Sequence, residues 1–156
     1  MKSTVRTLAY LALLAFPTGL WAVEPEPANR FPASIHVIEF SDPSPRTFIV
    51  RLAIGPGVDA YANKPENVFY SHVGATLFVS DSVGKVVKAK VNYPVGVKIE
   101  GPVVGDLFVY RGSIDMTVEI DDENAAGPHT LTLKVAGFSR SSSACLGTAK
   151  LMVERK

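Results

Sequence analysis

The sequence predicts an all-β domain of the sandwich kind, and three observations carry that prediction. Beyond about residue 33, apolar and polar residues alternate with period two through most of the chain. About eight such runs, all short, are separated by clusters of Gly, Pro, Asp and Ser, which is the spacing of strands in a sandwich or barrel. No window longer than roughly 10 residues keeps a 3.6-residue apolar period there, so helix is expected to be minor.

The elements follow in order. Ile35, Val37, Ile38 and Phe40 make a first strand, ended by the turn signal Asp42-Pro43-Ser44-Pro45. Residues 48–54 make a second, closed by Gly55-Pro56-Gly57, and residues 76–79 a third, closed by Asp81-Ser82-Val83-Gly84. Residues 86–93 read as one fourth strand stopped by Pro94, and residues 96–105 as a loop rich in Gly and Val. Residues 107–110 are a short fifth strand, and residues 114–120 alternate as a half-buried one. Residues 121–128 read as a polar turn, a solvated hairpin tip before the strand at 130–135, and residues 148–153 close the domain.

The first 22 residues have a different character. Lys2 and Arg6 precede an uncharged apolar run at residues 8–16, then Pro17 and Gly19 break it and Ala22 ends it. This is the layout of a secretory signal peptide, and the run is shorter than the roughly 20 residues a bilayer span requires. Residues 23–32, with three prolines and alternating charge, read as a flexible leader, and residues 33–156 as the domain. Removing 22 of 156 residues leaves 134, with fourteen cations against fifteen acids. The expectation is a periplasmic or otherwise exported protein with no membrane span in its mature part. A near-neutral balance without a basic cluster argues against nucleic acid as a partner.

Little in the sequence carries chemistry. His36, His72 and His129 lack metal-ligand spacing and read as isolated surface residues, so no metal is expected. Asp121-Asp122-Glu123 lies in the polar turn. No glycine-rich phosphate loop precedes a helix, and no cofactor is expected. The Ser139–Ser143 run has no local base to activate a hydroxyl. What remains is Cys145, the one cysteine, which excludes an intramolecular disulfide. Arg140 is close in sequence, and a cation lowers a thiol's pKa and raises its thiolate fraction. The alternatives are a reactive thiol and a buried, inert one that fills core space. A Cys145-linked homodimer is a third outcome.

Several short stretches resemble a known family. Residues 58–65, Val-Asp-Ala-Tyr-Ala-Asn-Lys-Pro, are similar to an H-x-Y-A-N-x-P stretch common in relatives of the N-terminal periplasmic domain of DsbD. DsbD is the membrane-bound thiol:disulfide interchange protein. Val91-Asn92-Tyr93-Pro94-Val95-Gly96, Val109-Tyr110-Arg111-Gly112-Ser113 and Ala144-Cys145-Leu146 follow in the same order, over roughly residues 46–154. The resemblance implies an immunoglobulin-like antiparallel β-sandwich. It also implies a redox cysteine pair with five residues between, fed by a membrane reductase and discharged to thioredoxin-like periplasmic partners. Cys145 falls on the second cysteine, and Ser139 stands where the first would be. A hydroxyl cannot form or resolve a disulfide, so the family's two-electron cycle is closed to this chain acting alone. The family's shielding loop matches residues 100–105, where Glu100 remains and Val103 and Val104 replace aromatics. Tyr61, Asn63 and Tyr110 are candidates for the rim of the same end, with core packing as the alternative for each tyrosine. Two readings follow. One is a docking domain of thiol–disulfide exchange that uses at most one thiol. The other is a non-catalytic immunoglobulin-like binding module in which Cys145 is a relic.

Overall fold

The computed structural model describes residues 31–40, 46–100, 105–121 and 127–155. The signal segment, most of the leader, and Val103 and Val104 lie outside these residues. In chain order the strands are β1 (Ala33–Glu39), β2 (Thr47–Ile54), β3 (Val58–Tyr61), β4 (Thr76–Ser80), β5 (Val86–Val87), β6 (Ala89–Asn92), β7 (Val97–Ile99), β8 (Leu107–Tyr110), β9 (Ser113–Ile120), β10 (His129–Ser139) and β11 (Cys145–Arg155). One short 3-10 helix, Val68–Val73, joins β3 to β4. All pairings among these strands are antiparallel.

Alternation sorts the side chains into two faces, and the faces assemble the sandwich. Sheet A runs β1-β2-β9-β6. Phe48, Val50 and Leu52 of β2 and Met116 and Val118 of β9 are fully buried on one face. The register sets Phe48 against Val118 and Val50 against Met116, so the apolar residues fall side by side. Sheet B supplies the other wall with Leu77 and Val79 of β4 and Leu131, Leu133 and Val135 of β10. Each large side chain removed from water contributes roughly 1.5–3 kcal/mol. The result is an immunoglobulin-like antiparallel β-sandwich.

Strand β10 organises sheet B. One edge pairs with β11 from His129 to Phe138. The other edge is divided between two strands laid end to end, with β4 against Thr130–Lys134 and β3 against Gly137–Ser139. Outward from these lie β5 beside β4, and β8 then β7 beside β3. Gly137 sits where the second partner begins. A Cβ there would collide with the Asp59 carbonyl, with Phe31 at 2.8 Å and with the Ala60 Cα at 2.9 Å.

The structure departs from the sequence reading at five places. β3 and β7 are strands where no strand was expected. All four residues of β3 are buried, so it shows no alternation to read. The run at 86–93 is two strands in different sheets, and the chain crosses over at Lys88, whose carbonyl accepts from Asp121 N. β9 and β10 belong to different sheets and do not pair as a hairpin, and residues 122–126 of the expected polar turn, Asp122 and Glu123 among them, lie outside the described residues. His129 is 3% exposed at the start of β10, whereas His36 and His72 are on the surface. Phe31, counted with the leader in the sequence, is 3% exposed in the core.

Candidate functional site

Strand β3 has two buried faces because sheet B is covered on both sides at that point. Val58 and Ala60 point into the sandwich core. Asp59 and Tyr61 point the other way, where a second apolar cluster forms from Tyr61, Leu107, Val109 and Ala136, with Tyr70, Val73, Ile99 and Phe138 packed against it. The 3-10 helix makes this possible. The Asn67 side chain caps its start by accepting from Phe69 N at 3.1 Å. The helix then lays Tyr70 on Tyr61, with ring centroids 4.8 Å apart and planes 18° from parallel. Phe138 also meets Tyr61, with ring centroids 5.6 Å apart and planes tilted by 50°. Offset aromatic contacts of this kind add to the burial of their area.

Cys145 belongs to the same face. It stands opposite Phe138 across the β10–β11 pair, and its side chain is exposed. The thiol is close enough to Tyr61 to act on it electrostatically. Burial first, then Tyr70 and Cys145, pushes the Tyr61 hydroxyl from 10.0 up to about 12.

The turn that presents Cys145 is held by backbone bonds. Ser139 N donates to Ala144 O (2.9 Å), Ser143 N to Ser139 O (2.8 Å) and Arg140 N to Gly57 O (2.8 Å). Ser143 takes a left-handed conformation, φ 54°, to close it. Ser139, the position of the missing sulfur, has its hydroxyl 3.0 Å from that of Ser141.

Beneath the turn lies a group that sequence reading passed over. Asp59 is 1% exposed. Both of its oxygens accept from Arg111, Nε to Oδ1 and Nη2 to Oδ2, at 2.7 Å each. Arg140 Nε stands 3.6 Å from Oδ1. A buried carboxylate needs such partners, and the bidentate arginine is the strong form. Arg140 therefore directs its charge at Asp59. The three residues tie β3, the β8–β9 connection and the Cys145 turn together.

The other candidates separate from this site. Tyr110 points into the sandwich core. Its hydroxyl donates to Pro94 O (3.0 Å) and accepts from Asn63 N (3.3 Å), while Asn63 Nδ2 donates to Ala75 O (2.8 Å). Tyr110 and Asn63 thus meet each other at a cleft of about 350 Å³ that Tyr93, Phe108 and Lys64 also line. Tyr61 alone of the three joins Cys145. Glu100 is exposed just after β7, next to the Ile99 that packs on the Tyr61 cluster. Among the described residues, no three His, Cys, Asp or Glu side chains converge to hold a metal ion. No helix among them is long and apolar enough to cross a membrane.

No protein-family model and no curated protein sequence matches the chain. Its fold is similar to solved structures. One is the reduced form of the DsbD N-terminal domain from Neisseria meningitidis, with a TM-score of 0.54 and 14% identity over 80% of this chain and 83% of that one. Another is the complex between the DsbD N-terminal and PilB N-terminal domains of the same organism, with a TM-score of 0.55 and 15% identity over 85% and 86% of the two chains. At these identities the likeness establishes the fold.

Proposed function

We propose that this chain is an exported docking domain of thiol–disulfide exchange, which receives a thioredoxin-like partner at the Cys145 end and uses that one thiol. The observation that supports this reading most is the position of Cys145. It is an exposed thiol at the β10–β11 turn of a fold similar to the DsbD N-terminal domain. A solved neighbour of that fold is in complex with another protein's N-terminal domain. The chemistry available to one sulfur is limited. The Cys145 thiolate attacks a partner disulfide, an S–S bond forms to one partner sulfur, and the other partner sulfur leaves as thiolate. Ser139 cannot displace the partner. Release requires the partner's own second thiolate to attack the mixed disulfide, which restores Cys145. The chain therefore captures and returns a partner with no net transfer of electrons.

One observation favours the second reading, a binding module in which the thiol is a relic. Arg140 faces Asp59, so its charge is already countered and its help to a thiolate is reduced. An acid-quenched alkylation trap decides between them. Extract from the exported fraction is run on a non-reducing gel beside the Cys145→Ser variant. A higher-mass band that vanishes in the variant and under reductant is the expected result. If Cys145 remains a free, readily alkylated thiol with no such band, the exchange reading fails and the binding module stands.

A further inference from the structure

The longest strand of sheet B with one side free of strand hydrogen bonds is β11, eleven residues from Cys145 to Arg155; β1 of the other sheet packs against it, and Glu39 of β1 holds Arg155 at its end. Among the described residues, the backbone of β11 is paired with β10 and with no other strand. Strands in this position are usually blunted by proline, bulges or inward charge. From Thr148 onward β11 has no proline and no bulge, and its register with β10 is regular to Arg155; its charges are Lys150 and Glu154 on the outer face and, at its very end, Arg155, which turns inward 4.3 Å from the centre of the Phe48 ring.

The charges along this edge are arranged in an unusual way. On the outer face Lys150, Met152 and Glu154 are exposed, and Met152 keeps 66% of its surface in water. Lys150 stands directly opposite Lys134 of β10, a like-charge pair across the ladder. Lys134 is partly relieved by lying 5.2 Å from the centre of the Phe78 ring. Lys150 and Glu154 have no ion-pair partner among the described residues. On the inner face Ala149, Leu151 and Val153 are only partly buried where they pack against the core.

We propose that the β11 edge binds a second copy of this chain, antiparallel, about a two-fold axis at Met152. The sequence around that residue is self-complementary in this register alone. Lys150 meets Glu154 of the second copy and Glu154 meets its Lys150, as an isologous interface requires. Met152 meets Met152. On the inner face Leu151 meets Val153, so the half-buried residues also match. The like-charge pair with Lys134 then gains its missing anion. The contact is one strand edge, so the association is weak, in the micromolar range. In this register the two Cys145 residues lie beyond opposite ends of the joined edge, roughly 45 Å apart. This pairing is therefore independent of the thiol, and it differs from a Cys145-linked homodimer.

Sedimentation velocity on the purified protein, with reductant present, tests it. The expected result is a concentration-dependent dimer that Cys145→Ser leaves unchanged. Lys150→Glu alone and Glu154→Lys alone each place like charges opposite one another and weaken the dimer about tenfold. An equimolar mixture of the two variants re-forms a dimer, because each copy then faces its opposite sign. The mixing step separates loss of pairing from loss of folding. A protein that stays monomeric to several hundred micromolar overturns the proposal. So does a dimer that is indifferent to both substitutions, or a mixture that fails to recover.

Discussion

Asp59 has almost no contact with solvent, yet both arginines that hold it reach the surface, Arg111 with 38% and Arg140 with 48% of the side chain exposed. A carboxylate in that position is stable only while its partners remain. Asp59→Ala is expected to cost about 2 kcal/mol, the low side for breaking a buried pair because the arginines can rehydrate. Urea unfolding followed by circular dichroism measures it, and a loss below half of that would mean the pair does not hold the turn. Tyr61 gives a pH dependence with a definite sign. Unfolded, it ionises near 10.0; folded, it holds its proton to about 12. The folded state binds that proton more tightly, so stability present below pH 10 falls as pH rises through 12. Thermal melts across that window should steepen in the wild type and flatten in Tyr61→Phe. Tyr61 and Arg140 could be picked out from the sequence, but the Asp59–Arg111 pair could not. Asp59 and Arg111 are 52 residues apart, and no periodicity links them. The one available signal was an acid inside the apolar run Val58-Asp59-Ala60-Tyr61, which a surface strand would not place there.

Strands β2, β9 and β10 could be read from sequence because each buries one face. Their burial alternates along the strand, and the sequence alternates with it. β3 was hidden for the opposite reason: with both faces covered, four buried residues show no alternation to read. β7 has only three residues inside a Gly- and Val-rich stretch, too few for a pattern. The crossing at Lys88 was invisible because β5 and β6 continue one apolar run while changing sheets. Gly137 is the point where these elements depend on one residue. Gly137→Ala drives a methyl group into the backbone of β3, which cannot move aside without breaking its pairing with β10. The expected cost is about 2 kcal/mol, read as a fall in the urea midpoint. A variant as stable as the wild type would show that β3 and β10 are less closely apposed than described.

At the scale of the whole molecule, the sandwich stands on its core with no covalent staple. Cys145 is exposed and unpaired. Reductant and the Cys145→Ser substitution should both leave the thermal midpoint within about 2 °C of the wild type, since surface changes away from special features are usually within ±0.5 kcal/mol. A larger drop would mean the thiol packs in the fold. The two surfaces argued above then divide the molecule. The turn end carries the thiol, the Asp59 pair and the aromatic cluster, and the middle of β11 carries the self-complementary edge. A partner at the first leaves the second open.

The divided edge of β10 also sets the order in which the chain can come together. Its neighbours are drawn from residues 58–61, 76–80 and 145–155. β3 and β4 therefore have no inner neighbour until residue 139 has been synthesised, and β10 has no outer one until β11 follows. A ribosome releasing this polypeptide in sequence makes most of its length before sheet B can close. Closure then depends on non-local pairings, which are slow, in the range of milliseconds to seconds. For that interval sheet A and the outer pairs of sheet B, whose strands all precede residue 121, can form, but the two halves of sheet B have nothing to join them, and the core between the sheets stays exposed to chaperones and proteases until the last two strands arrive.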